Sequence, residues 1–467
     1  MGDTPTMTDT SEPYVPPRPS KLWSVAALAR TLRQGDGDLL SLLPGSAFRM
    51  DIGTLGYSRR SIFLLNDPGL IRQVLSDDGS TFPKSDLMVN ALEPLIGGSI
   101  FVTDGDTWRR QRAMIDPAFS HMRLNLAFAS MHAAVEDRLA WLSEMAATRT
   151  AFSLDLAMSH LTADVICRTV FSTSLDTGVA KDVFDDFVIF ERDVAQVQIW
   201  RLIVDPAWTA VRQDDHVLEA CARIRRHLGD LTDTHLDDKT GRFNDIASAV
   251  IAARDRDTGA AFTRDELIDQ LGVFFLAGHE TSASALTWAF YILAVRPEIR
   301  ARVRAEVQER AGAGPLGIDD VRNLPFVRSF FKEVLRLYPP ITFMPRVAQR
   351  AVVLGRRKLR RGALVMIAPW TLHRHERYWR DPDRFDPERF LGEREKEIES
   401  GTYIPFGQGP HTCIGAGFAS LEAALIIASL VRDFDFEVAG TAPVRPVARL
   451  TTRPAQEISV RVRRHRA

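Results

Sequence analysis

Residues 271–295 (LGVFFLAGHETSASALTWAFYILAV) narrow most sharply what this chain can become. They are long enough to cross a bilayer as a helix. Yet His279 and Glu280 stand at the centre, where an ionised carboxylate costs roughly 2.5–3.5 kcal/mol on insertion scales. Upstream, Thr263 and Glu266 form a capping-box pattern, and Pro297 stops a helix at the far end. A helix apolar all round and about 30 residues long, roughly 45 Å at 1.5 Å per residue, suits the core of a large globular protein. With 467 residues, 45% of them hydrophobic, the chain can bury such a helix.

Around that helix the expected fold is mainly α with a minor β region. Residues 1–20, polar and Pro-rich, are expected to be disordered, and 21–467 to form one large domain. Residues 48–66 and 351–370 show short β-like runs with Gly breaks, long helical patterns fill 68–310, and 376–412 is irregular. An apolar helix at 418–432 precedes a β-like tail, and the terminal Arg461, Arg463, Arg464 and Arg466 suggest a solvated end. Lys plus Arg number 59 against 60 Asp plus Glu, so no basic excess points to nucleic acid or an anionic membrane. The start lacks a secretory signal pattern, and three cysteines make no disulfide framework. These features suggest a cytoplasmic protein without a membrane anchor.

Two of the cysteines, Cys167 and Cys221, sit in amphipathic patterns and are expected to pack. Cys413 differs. It ends Phe406-Gly407-Gln408-Gly409-Pro410-His411-Thr412-Cys413, and Ile414, Gly415, Ala416 and Gly417 lead from it into a helix. Backbone N–H groups and the positive helix end favour a thiolate there, and glycines let a flat cofactor approach. A zinc site from His373, His375, His411 and Cys413 is an alternative with poor ligand spacing.

The segment Phe406–Gly415 resembles the haem-binding signature of the cytochrome P450 superfamily. Three further motifs follow the family's order, and the likeness spans roughly residues 40–455. The resemblance implies heme b with Cys413 as axial iron ligand, and a cofactor cradle of Phe406, Gly407, Gly415 and Ala277. Trp108, Arg112, Arg346 and His411 match residues that hold the haem propionates, the cations among them suiting a negative cofactor. Ala277-Gly278-His279-Glu280-Thr281 resembles the oxygen-activation motif, so Thr281 is expected to hydrogen-bond the dioxygen species and Glu280 to deliver protons. Gly278 marks a close approach. Glu333 and Arg336, with Arg389 from Pro387-Glu388-Arg389-Phe390, match a structural triad.

By the same analogy the substrate pocket is lined by the 87–101 loop (Met88, Leu92, Leu95, Ile96), Phe274, Ala277, Ile341, Thr342, Phe343, Thr451 and Thr452. Its apolar lining implies a hydrophobic small-molecule substrate. The activity implied is monooxygenation, hydroxylation or epoxidation. Electrons would come from a ferredoxin and its reductase or an equivalent donor, to which Arg109 and Arg110 could present positive charge. The rival readings are a peroxide-using or isomerising haem-thiolate enzyme and a non-catalytic haem-binding protein.

Overall fold

The computed structural model describes residues 14–34, 38–55, 61–175, 179–194, 213–311, 314–440 and 444–465. The apolar stretch folds as one helix, Arg264–Val295, which we call the central helix. Thr263 accepts from the Glu266 N–H while Glu266 accepts from the Thr263 N–H, completing the capping box. Almost every side chain from Leu267 to Leu293 is buried. Among the described residues no helix is long and apolar enough to cross a membrane.

Helices Leu154–Val170, Asp215–Leu236 and Ala416–Asp433 pack around the central helix. Gly278 makes the closest approach: a Cβ there would stand 2.4 Å from Ile166 Cδ1. The glycine thus serves helix–helix contact, and Thr162 Oγ1 clamps the same place by donating to His279 O at 3.0 Å. Cys167 and Cys221 are both buried in this core.

The two β-like regions meet in one sheet. Its order is Ile52–Thr54, Ile62–Leu65, Leu364–Ile367, Met344–Val347, with the middle pair parallel and the rest antiparallel. Val365 and Ile367 bury on a small second core with Phe63 and Leu65.

At the other end Ser459–Arg464 is the middle strand of a three-stranded sheet. Val460 and Val462 point inward while Arg461 and Arg463 point out, and Arg463 pairs with Glu437. The basic tail is therefore structural for most of its length, because its alternation fits a half-buried strand; Arg466 lies outside the described residues.

Expected disorder over 1–20 needs a similar correction. Residues 1–13 lie outside the described residues, but 14–20 run along the fold. Tyr14 O accepts from Phe385 N, Pro17 O accepts from the Tyr338 hydroxyl at 2.7 Å, and Arg18 pairs with Asp383. These partners lie more than 300 residues away, beyond the reach of a compositional reading.

Candidate functional site

The Cys loop is shaped by its glycines. Gly407 and Gly409 have φ of +77° and +76°, and a Cβ on Gly409 would meet Leu75 O at 2.8 Å. Cys413 N donates to Phe406 O at 2.9 Å and Thr412 N to Gly409 O, closing the turn. Helix Ala416–Asp433 follows at once. Its tie to the central helix is buried: Ser282 Oγ donates to Glu422 at 2.6 Å, and burial raises Glu422 to about 8, so it is neutral at pH 7.

Cys413 is an exposed residue, yet protein crowds its thiol closely enough that burial pushes it up, against the Gly415 N–H and Arg112. The helix start therefore does not by itself make a thiolate, as the sequence reading expected. Gly415 leaves room beside it: its φ is ordinary, and a Cβ there would meet nothing nearer than Cys413 Sγ at 3.9 Å.

Helix Gly105–Ile115 covers one side of the loop. The Trp108 ring packs on His411 with centroids 3.9 Å apart and planes tilted by 37°, and Arg112 Nη1 donates to Thr412 O at 2.7 Å. Arg346, buried on strand Met344–Val347, bridges to Lys84 through the backbone. Sequence reasoning missed Lys84. Its Nζ donates to Ile100 O and Thr103 O, and burial lowers it to about 7.

Lys84, Arg346 and Arg112 all push on His411, which burial and these cations lower to about 3. His411 is therefore a neutral imidazole here rather than the expected cation, and its buried Nδ1 makes no hydrogen bond. Asp104 is the acid among them, 4.0 Å from His411. Two arginines and a lysine around one acid suit a ligand with two carboxylates, whose charge would hold the lysine protonated. Residues fitted to a haem are thus present: an exposed cysteine with open room beside it, a glycine-lined cradle and a cationic edge. The zinc alternative fails, because the His/Cys/Asp/Glu cluster of metal-binding spacing among the described residues is Glu191, His279 and Glu280.

On the central helix a narrow accessible stripe interrupts the burial at Ala277, Gly278 and Thr281. Thr281 Oγ1 donates to Ala277 O at 2.6 Å. Glu280 turns elsewhere: Arg453 Nε and Nη2 fork its two oxygens, and the Thr451 hydroxyl donates to it. Burial works against the Glu280 charge, but Arg453 overrules it and holds the carboxyl below its usual range. The acid and the alcohol therefore share a motif without a direct hydrogen bond between their side chains.

Thr451 and Thr452 do not line an accessible pocket as expected. Thr452 Oγ1 reaches Pro339 O and the Thr342 hydroxyl, and all three threonines are buried. Leu92, Leu95, Ile96 and Phe274 are likewise buried in core contacts, whereas Met88, Ile341 and Phe343 keep partial exposure. Arg110 pairs with Glu266 and Asp255 rather than presenting free charge, and Arg109 pairs with Asp106 on the surface.

The triad assembles fully. Arg336 uses all five N–H groups: two on Glu333, at 2.7 and 2.8 Å, and three on the carbonyls of His373, Pro382 and Arg384. Arg389 stands 3.5 Å from Glu333. His373 in turn accepts from Ile404 N at 2.9 Å, two residues before Phe406. This chain of contacts links the triad to the start of the Cys loop.

Residues 44–461 match the cytochrome P450 family. The chain belongs to that family. This P450 is 33% identical to cyclooctat-9-en-7-ol 5-monooxygenase of Streptomyces melanosporofaciens, over 84% of this chain and 83% of that one. It is 31% identical to cyclooctatin synthase of the same organism, over 88% and 86%, and 30% identical to pentalenene oxygenase of Streptomyces avermitilis, over 85% and 86%. Its fold superposes on the cytochrome P450DA heme domain with a TM-score of 0.77 at 22% identity, covering 89% of each chain. The protein is accordingly a P450 monooxygenase, an enzyme class that uses haem iron, redox partners and hydrophobic substrates.

Proposed function

We infer that this P450 hydroxylates a terpenoid-class hydrocarbon or alcohol. It acts as one domain over residues 21–467 in the cytoplasm, with heme b and electrons from a ferredoxin and its reductase. The observation that carries the site assignment is the accessible stripe at Ala277 and Thr281 on an otherwise buried helix, tied through Ser282–Glu422 to the helix that Cys413 precedes. When bound, the haem supplies oxygen activation, which a thiolate ligand promotes.

The chain's own residues do the rest. Cys413 would hold the iron, with Phe406, Gly407, Gly415 and Ala277 lining the cradle. Arg112, Arg346 and Lys84, with Trp108 packed on His411, would hold the carboxylate edge. Thr281 would present its hydroxyl at the open stripe, and Glu280 would move protons toward it. Glu333, Arg336 and Arg389 would keep the loop in place. Met88, Ile341 and Phe343 would offer the substrate an apolar wall.

The substrate class rests on the relatives named for cyclooctat-9-en-7-ol and pentalenene. The test is a titration of the ferric protein with cyclic terpene hydrocarbons, terpene alcohols, fatty acids and steroids. A low-to-high-spin absorbance shift confined to the terpenes is the expected result. A shift produced by fatty acids alone would sink the terpenoid reading.

A further inference from the structure

A second buried carboxyl reaches Glu280 from outside its motif. Glu191, near the end of helix Val179–Val194, has Oε1 3.4 Å from His279 Nε2 and Oε2 4.0 Å from Arg453 Nη2. Arg453, on strand Thr452–Pro454, already forks Glu280, and its Nη1 donates to Asp155 Oδ1 at 2.6 Å. His160 approaches His279 from helix Leu154–Val170.

Three carboxyls thus surround one guanidinium, and the Asp155 side chain is the most open of them, 31% exposed. One cation cannot balance three anions in a buried site, so one carboxyl keeps its proton. Burial, and then the Glu280 charge, raise Glu191 well above the ordinary carboxylate range, while burial lowers His279 to about 4 and leaves it neutral. Glu191 is the carboxyl that holds the proton, and it stands beside Glu280: Glu191, His279 and Glu280 each place a side-chain N or O atom within 4.8 Å of the others. It also has the better access to water, with 16% of its side chain exposed against 4% for Glu280.

We propose that Glu191 is a relay residue, which passes a proton to Glu280 for delivery toward Thr281 and replaces Glu280 as the partner of Arg453. This rests on the monooxygenase reading. In the step, the O–H bond of Glu191 breaks as an O–H bond forms on Glu280. No electrons are exchanged, and the charge of the cluster is unchanged. Neutral Glu280 loosens its hold on Arg453, while the new Glu191 carboxylate stands close enough to take the guanidinium. Arg453 is never left buried without an anion, and Glu280 can turn toward Thr281. Water re-protonates Glu191 from its open side.

Glu191→Gln preserves the shape and can still donate to Glu280, but it carries no transferable proton. The test uses the haem-loaded full chain with ferredoxin, ferredoxin reductase and pentalenene as probe. Product per electron pair should fall about 10²-fold, at the low end of what a positioned proton donor contributes, with oxygen diverted to peroxide. Haem content should not change. Coupling in the variant should decline as pH rises through neutrality, and Glu191→Asp should recover part of it.

An infrared measurement needs no substrate. Beside the band of neutral Glu422, the wild type should show a second protonated-carboxyl C=O stretch at neutral pH, and that second band should vanish in Glu191→Gln. Coupling within about twofold of wild type, or no lost band, overturns the relay. Thr281→Ala run alongside separates the layers. If it uncouples and Glu191→Gln does not, only the relay falls. If neither uncouples, the role assigned to the motif falls with it.

Discussion

Four consecutive residues of the central helix meet four different surroundings. His279 lies among Phe184, Phe187 and Phe275, Glu280 on Arg453, Thr281 at the open stripe, and Ser282 on Glu422. Successive side chains point about 100° apart around a helix of 3.6 residues per turn, so one short motif can serve several neighbours at once. Cys413 is the other residue on which much turns. Cys413→Ser changes one atom at an accessible position, so stability should stay close to wild type. The variant should lose the thiolate-type carbon monoxide difference spectrum. A spectrum identical to wild type would remove Cys413 as the iron ligand.

Between elements, stability depends on ties that hold helices to one another. His235, on Asp215–Leu236, places Nδ1 2.8 Å from Leu231 O and Nε2 2.9 Å from Asp245, the N-cap of Ile246–Ala252. Both partners are acceptors, so both ring nitrogens carry protons. Burial opposes that charge, but Asp245 overrides it and raises His235; burial likewise opposes ionisation of Asp245, and His235 with the Ser248 N–H lowers it.

The raised histidine stabilises fully below its unfolded value of about 6.5 and loses this as pH rises through its folded value. The depressed aspartate stabilises above its unfolded value of about 3.9 and loses this as pH falls. The tie is therefore strongest in between. His235→Gln should lower the urea midpoint more at about pH 5.5 than at about pH 8. An equal loss at both values would show that the imidazole is uncharged in the fold.

Across the whole molecule, Glu333 and Arg336 act as a keystone between helix Pro325–Leu337, the 373–389 segment and the Cys loop. Both side chains are fully buried. Glu333→Gln would leave the guanidinium without its anion, which costs about 3–5 kcal/mol in a buried pair. Denaturant midpoints and haem retention should fall together. Retained haem at wild-type stability would mean that the triad does not brace the loop.

Much of this architecture was legible in local patterns. The capping box of the central helix, the glycine turn before Cys413, and Trp108 and Arg112 on one helical face depend on residues a few positions apart. Backbone hydrogen bonding and side-chain periodicity set those features within a single element. Lys84 beside Arg346, the disengagement of Glu280 from Thr281, and the burial of Thr451 and Thr452 were not legible.

By itself the sequence determined that a long helix is buried, that one cysteine stands apart in a tight loop, and that an acid–alcohol pair lies mid-helix. Only the tertiary structure decided which partner each charge meets. Arg453 reaches Glu280 from 173 residues away, and a buried charge settles wherever a counter-charge and a hydrogen bond offset its lost hydration. No spacing along the chain encodes that choice, because it is made by elements that become neighbours only once the core has closed.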